Sequence, residues 1–363
     1  MATIHHVARA AEVSIATVSR VLNGSARVSD ETRERVWAAA AELDYWPNSA
    51  ARSLTTQTAN AIGVLLPDLY GEFFSEVIRG IDGAARREKY QVLISSSHAD
   101  TDEVLAVARS MRGRIDGLVV MAPDEGTSDA IDQITRRFPV VLLNPRFEVN
   151  GCRAVSIANF DGAVAAVTHL VDLGHRDLVL VKGPCGNADA EARLRGFHAA
   201  LETAGLTPRE PFEFLGDFTE ASGFRAAQEI LRRDGRPDAV FAANDSMAIG
   251  VLSAFGQAGV RVPEDVALVG FDDIAIAQYL SPALTTVHVD AFALGDRAVR
   301  QLIELKGAPD TVVAPEILPA RLVVRRSCGS STPWSVEVAH DVAGAEPGGR
   351  PRFPSPHAGD RMP

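Results

Sequence analysis

Two short runs at the start of the chain repeat their apolar residues at helical spacing. Ile4, Val7, Ala8 and Ala11 fall at i, i+3, i+4 and i+7, and Val18, Val21 and Leu22 form a second stripe, with little more than "EVS" between the runs. Thr3 and Ser14 stand where helix N-caps belong, so two helices meeting through a tight turn are predicted. A third helix is predicted over "SDETRERVWAAAAELDY", opened by Ser29 or Asp30, with carboxylates in its first turn and Val36, Ala40 and Leu43 as its core stripe. Together these make one small all-α domain over residues 1–46.

The texture then changes. "WPNSAARSLTTQTAN" reads as a linker with room for one short helix after Pro47, over residues 47–60. From Ala61 onward, compact apolar runs such as "AIGVLLPD", "DGLVVMAP", "PVVLLN", "DLVLVKGP" and "DAVFAAND" alternate with amphipathic helical stretches. Strand, helix, strand at this spacing predicts doubly wound parallel sheets covered on both faces. Two successive sets predict an α/β core of two lobes, with a ligand cleft at the carboxyl ends of the strands. The first lobe is expected over about 61–159 plus 290–328, the second over about 160–289. A last helix, "AFALGDRAVRQLIELKG", and strands near "TVVAPEIL" and "ARLVVRR" are expected to return to the first lobe. Residues 329–363, rich in Gly, Pro, Ser and charges without a sustained apolar period, are expected to lack structure.

Composition adds three constraints. A formal net charge of -11 restricts any nucleic-acid contact to a local patch. Cys152, Cys185 and Cys328, odd in number and widely spaced, favour a reducing compartment over a disulfide framework or zinc site. With no signal-like N-terminus and no apolar run of about 20 residues, the chain is expected to be cytoplasmic, without a membrane partner.

The segments "TIHHVARAAEVSIATVSRVLNG", "VSDETRERVWAAAAELDYWPNSAARSL", "IGVLLPD", "FFSEVIRGI", "RLRGF", "FAANDSMAIG" and "VGFDDI" resemble the LacI/GalR family of bacterial transcription regulators. The resemblance runs from Thr3 to about Ser327 and implies a helix-turn-helix head, a hinge and a periplasmic-binding-protein-like core. In such a head the second helix meets base edges with its N-terminal residues. Here those are Ile15 and Ala16, which suit shape and thymine-methyl contacts, while Arg20 reaches a guanine edge or a phosphate. Thr17, Ser19 and Asn23 suit phosphate contacts, and Thr3 and Ser14 complete the DNA-facing set through their places at the helix starts. The resemblance further implies that "PNSAARSL" enters the minor groove as one of a pair. Leu54 would then be a wedge between base pairs, Ala51 small enough for close approach, and Asn48 and Arg52 near the backbone. Bending DNA with an inserted apolar side chain is a device open to such a short helix only when two copies and the DNA are present.

For the core, the resemblance implies effector contacts from Phe73, Phe74, Arg193, Phe218, Asn244 and Asp272. A fork of donors, an acceptor pair, an amide and aromatic faces suit a polyhydroxylated ring, and they also suit a flat nucleobase. Asn144 departs from the Asp that sugar-binding members often carry there, so Asp161 either contributes instead or caps the helix that follows it. No phosphate loop, nucleophile elbow or HExxH motif is present, so no enzyme is expected, and neither cofactor nor metal. The expectation is a homodimeric repressor binding near-palindromic, double-stranded operator DNA and responding to a small polar effector, a sugar before a nucleobase. A constitutive architectural DNA-binder without an effector is the alternative.

Overall fold

A computed structural model describes residues 2–22, 28–46, 58–98, 100–121, 128–146, 152–307, 314–330 and 334–338. The first three helices are α1 (Ile4–Ala10), α2 (Ile15–Leu22) and α3 (Asp30–Glu42). Thr3 is the N-cap of α1, its amide donating to His6 Nδ1 at 3.3 Å. Ser14 opens α2 by accepting from the Thr17 amide at 3.1 Å, and Ser29 opens α3 by accepting from the Thr32 amide at 3.4 Å. The apolar stripes of all three converge on one core of Val7, Ala8, Ala11, Val18, Val21, Val36, Ala39 and Ala40, flanked by Ile4, Leu22 and Leu43.

The chain divides into two compact units. The first comprises residues 1–70, 74–154 and 295–314, the second 71–73, 155–294 and 315–363. β1 (Ala61–Leu66), β2 (Gln91–Ser96), β3 (Gly117–Met121) and β4 (Val140–Leu143) form a sheet in the order β2-β1-β3-β4, which β5 (Arg153–Ile157) and β11 (Glu316–Leu318) extend beyond β4. Helices α4 (Glu72–Arg87), α5 (Thr101–Ser110) and α6 (Ser128–Thr135) connect β1 through β4. Every residue of β1, β3 and β4 is buried, as parallel strands covered on both faces require.

The second unit has its own parallel sheet, ordered β7-β6-β8-β9, from β6 (Leu178–Lys182), β7 (Glu213–Leu215), β8 (Ala239–Ala242) and β9 (Ala267–Val269). Four helices belong to it: α7 (Asn159–Asp172), α8 (Ala188–Thr203), α9 (Glu220–Arg232) and α10 (Asp245–Gln257). A methyl group placed on Gly223 would stand 2.1 Å from the Met247 carbonyl oxygen, and one on Gly250 would stand 2.0 Å from that of Glu220, so α9 and α10 touch backbone to backbone.

The end of the chain corrects two expectations. The last helix, α11 (Ala291–Gly307), does run into the first unit, where Gly295 lies against the α4 backbone. Of the two strands after it, the first joins the same sheet as β1–β4, as expected, and the second pairs elsewhere. β11 (Glu316–Leu318) pairs parallel with Val155–Ile157 of β5 (Arg153–Ile157), and β12 (Ala320–Val324) pairs antiparallel with β10 (Thr286–Val289). Alternating buried and half-buried positions in "ARLVV" give β12 one face to seal, and β10 offers the matching edge. Part of the segment expected to lack structure is also a strand, because β13 (Trp334–Val338) pairs with all five residues of β12.

Behind these strands lies a buried polar cluster. Nε2 of His169 on α7 is 3.4 Å from Cys328 Sγ, and the Thr285 hydroxyl donates to the same sulfur at 3.1 Å. Burial, with a smaller contribution from His175, pushes His169 down to about 4. The folded pKa is then below the unfolded one, so the unfolded chain binds the extra proton between the two values. The stability this histidine contributes is complete above pH 6.5 and is lost as pH falls towards 4, by about 3 kcal/mol at most. Urea titrations across that range should show the loss in wild type and a shallower pH slope in His169→Gln. Equal slopes would place the titration on another group.

Candidate effector and DNA-contact sites

Arg193 is the centre of the second unit's polar interior. It comes from the second turn of α8, whose N-cap Asn187 accepts from the Ala190 amide at 3.0 Å. The guanidinium is 4% exposed. Its Nε donates to Asn159 Oδ1 at 2.9 Å and Nη1 donates to the Ala243 carbonyl at 2.5 Å, while Nη2 lies 3.2 Å from Asp272 Oδ1. Its Cζ sits 3.8 Å from the centroid of the Phe271 ring and 5.9 Å from that of Phe218. Asn159 passes the contact on, donating through Nδ2 to Asp189 Oδ1 at 2.8 Å.

The contact with Asp272 is an ion pair without hydrogen-bond alignment, so Oδ1 of this carboxylate is buried with no hydrogen-bond donor. Burial pushes the Asp272 carboxyl up to about 6, with Arg193 opposing and Asp189 adding to the shift. Its backbone, at φ 111°, lies in a region that side chains rarely adopt, as does that of Asp273 at φ 57°. Asp273 is tied down by Arg325 at 2.6 Å and His288 at 3.0 Å, which hold it below the usual carboxylate range although burial opposes them. Asp245, fully buried, accepts from the Thr286 hydroxyl at 2.6 Å and the Ile274 amide at 3.0 Å. Burial first, and Asp272 second, raise it well above the usual range.

Asn244 is the N-cap of α10. Its Oδ1 accepts from the Met247 amide at 2.9 Å and its Nδ2 donates to the Phe218 carbonyl at 3.0 Å, so both ends of the amide are engaged. That second bond holds Phe218 at φ 68°, with its half-buried ring over Gly183, where an added methyl would stand 2.5 Å from the ring. The structure thus gathers Arg193, Asp272, Asn244 and Phe218 into one neighbourhood.

The other expected effector residues sit on other elements or in other roles. Phe73 and Phe74 are half-buried in the first turn of α4. Asn144 follows β4, buried, at φ 44°, a left-handed conformation that asparagine tolerates well. Asp161 is not a cap. Ala158 holds that place, and Asp161 is the third residue of α7, where its charge complements the helix dipole. Sequence reasoning missed Asn159, Asp189 and Phe271. Asp189 stands one turn before Arg193 on α8, a spacing that could have marked it, whereas only the fold brings Asn159 and Phe271 to Arg193.

On the head, Ile15, Ala16 and Arg20 are exposed and Thr17 and Ser19 half-buried. Arg20 has no ion-pair partner among the described residues. Asn23, Asn48, Ala51, Arg52 and Leu54 lie outside the described residues.

Comparison with known proteins shows the family. Residues 3–48 match the LacI family of bacterial regulatory proteins and residues 167–328 a periplasmic binding protein-like domain. The transcriptional repressor PurR of Edwardsiella ictaluri is 36% identical over 332 residues, 90% of this chain and 97% of the relative. This chain belongs to the LacI family. The lac repressor dimer bound to operator and the anti-inducer ONPF superimposes with a TM-score of 0.81 at 32% identity, over 90% of this chain and 99% of that one. A CelR–cellobiose complex does so with a TM-score of 0.69 at 30% identity, over 90% and 100%. This LacI-family chain is therefore a DNA-binding transcriptional repressor that responds to a small molecule, and its relatives are regulators rather than enzymes. Among the described residues no helix is long and apolar enough to cross a membrane.

Proposed function

We propose that the protein is a homodimeric repressor whose grip on a near-palindromic operator is set by a small polar effector held at the Arg193 cluster, a sugar or sugar derivative before any other class. The observation that carries this is the meeting of a guanidinium, a carboxylate without a hydrogen-bond donor and a half-buried aromatic ring at Arg193, Asp272 and Phe218. Hydroxyls can donate to the carboxylate and accept from the guanidinium while C–H groups cover a ring. The cellobiose in the CelR complex supports the sugar reading. The Phe218 ring leaves a nucleobase as the second reading. Phe73, Phe74, Asn144 and Asp161 are proposed as further effector contacts.

On the DNA side, Ile15, Ala16 and Arg20 would face base edges, with Thr3, Ser14, Thr17, Ser19 and Asn23 towards the backbone. Asn48, Ala51, Arg52 and Leu54 would supply the hinge contacts. Leu54→Ala is expected to weaken operator binding about tenfold, ~1.4 kcal/mol, and to leave effector binding intact. Unchanged operator affinity would remove the wedge.

Fluorescence anisotropy of the protein on its own upstream DNA, at fixed salt, with sugars and nucleobases added in turn, tests the whole reading. A compound that shifts operator affinity tenfold identifies the effector class. Because the ligand hydroxyls would donate to an ionised Asp272, effector affinity should fall as pH drops through about 6, approaching tenfold per unit below it. A flat profile from pH 8 to 5 would separate the ligand from Asp272.

A further inference from the structure

We infer that the Arg193 cluster selects uncharged or cationic, donor-rich ligands and rejects anions, because the protein's own carboxylates already fill the places a phosphate or carboxylate would take. The inference rests on the reading of this cluster as the effector site and narrows the ligand class.

An isolated buried arginine would attract a phosphate. This one is already paired. Asp272 lies against Nη2, the Asn159 and Ala243 oxygens accept from Nε and Nη1, and the Phe271 ring covers one face. The starts of α7, α8 and α10 supply Asn159, Asp189 and Asn244 to this neighbourhood, and helix N-termini on their own favour anions. Each of the three carries a carboxylate in its first turn: Asp161, Asp189 and Asp245. Asp189 is 8% exposed, and it is close enough to Asp272 for their like charges to make that group harder to ionise. Asp245 is fully buried, taken up by the Thr286 hydroxyl and the Ile274 amide, and burial raises it well above the usual carboxylate range. One guanidinium is thus matched by more than one buried carboxylate, so a phosphate dianion would have to displace Asp272 and then sit beside Asp189 in a medium of low polarity. A ligand with O–H or N–H groups meets no such barrier, and the donorless Oδ1 of Asp272 favours it.

The test uses inorganic phosphate as probe. Thermal unfolding of the full chain is followed at pH 7.5 over increasing phosphate, against chloride at matched ionic strength. Wild type should gain nothing over chloride. The double variant Asp189→Asn, Asp272→Asn, which frees Arg193 while keeping amide groups in both places, should bind phosphate at least tenfold more tightly. The gain should vanish when Arg193→Ala is added. Asp189→Asn alone retains an acceptor for Asn159 and should show a smaller gain, which covers the case of a double variant that does not fold. Phosphate binding by wild type that Arg193→Ala abolishes would overturn the inference. So would folded carboxylate variants that remain indifferent to phosphate. Failure of the effector reading has a separate signature, a sugar and nucleobase panel that leaves operator affinity unmoved.

Discussion

Arg193→Ala is expected to abolish the effector response and to destabilise the second unit by about 3–5 kcal/mol, while the head still binds operator. The stability loss follows from what the truncation strands. Asp272 loses its only ion-pair partner among the described residues, at a site where its side chain is 8% exposed, and breaking a buried pair from one side leaves a charge that neither water nor protein stabilises. Asn159 loses the donor that orients it towards Asp189, and the Ala243 carbonyl loses the Nη1 donor. Chemical denaturation should report the destabilisation, and anisotropy on operator DNA the unchanged head. Arg193→Lys restores a charge but not the planar fork that reaches three oxygens at once, so it should recover part of the stability and little of the response. A variant that keeps full stability would mean that these contacts are replaceable by solvent.

The second large effect is expected at the crossing of α9 and α10. Gly223→Ala and Gly250→Ala each put a methyl about 2 Å from a carbonyl oxygen of the opposite helix. Backbone cannot rotate aside as a side chain can, so the helices must separate, at about 3 kcal/mol or more. The shift reaches the site, because α10 begins at Asn244, which anchors Phe218. Both variants should therefore lose effector affinity as well as melting temperature. Gly256 supplies the control. It lies in α10 with nothing within 4 Å of the added methyl, and Gly256→Ala should stabilise the helix by about 0.5–1 kcal/mol. If all three variants behaved alike, helix propensity and not close approach would govern this crossing.

The head was legible from sequence because its helices obey one period throughout: Val7, Val18 and Val36 are apolar, regularly spaced and buried. The parallel sheets were legible for the same reason, their strands being short unbroken apolar runs between amphipathic helices. At the site, the resemblance of "RLRGF" and "VGFDDI" to the family marked Arg193 and Asp272. It could not mark Asn159, because an amide at a helix start is ordinary and only the packing of α7 against α8 turns it towards Arg193, whereas Asp189 stands one turn before Arg193 on α8 and its i, i+4 spacing was there to be read. The return of β11 to the sheet of β1–β4 was read, but the partner of β12 was not. β12 carries the alternation of any half-buried strand, and nothing local distinguishes the edge of β10 from other edges. The strand in the tail left a trace that its surroundings hid: "WSVEV" alternates apolar and polar residues inside a stretch dominated by Gly, Pro and Ser.

That strand bears on how a shortened protein would behave. With Trp334–Val338 in place, β12 is hydrogen-bonded on both sides, to β10 and to β13. A chain ended at Ser327, next to the apparent boundary of the family domain, would present a bare row of amides and carbonyls along Ala320–Val324. Such a row is a template on which another molecule can lay a strand. Self-association in that truncated protein would then be an artefact of the cut, easily mistaken for native assembly, whereas a cut made after Val338 would leave the edge covered.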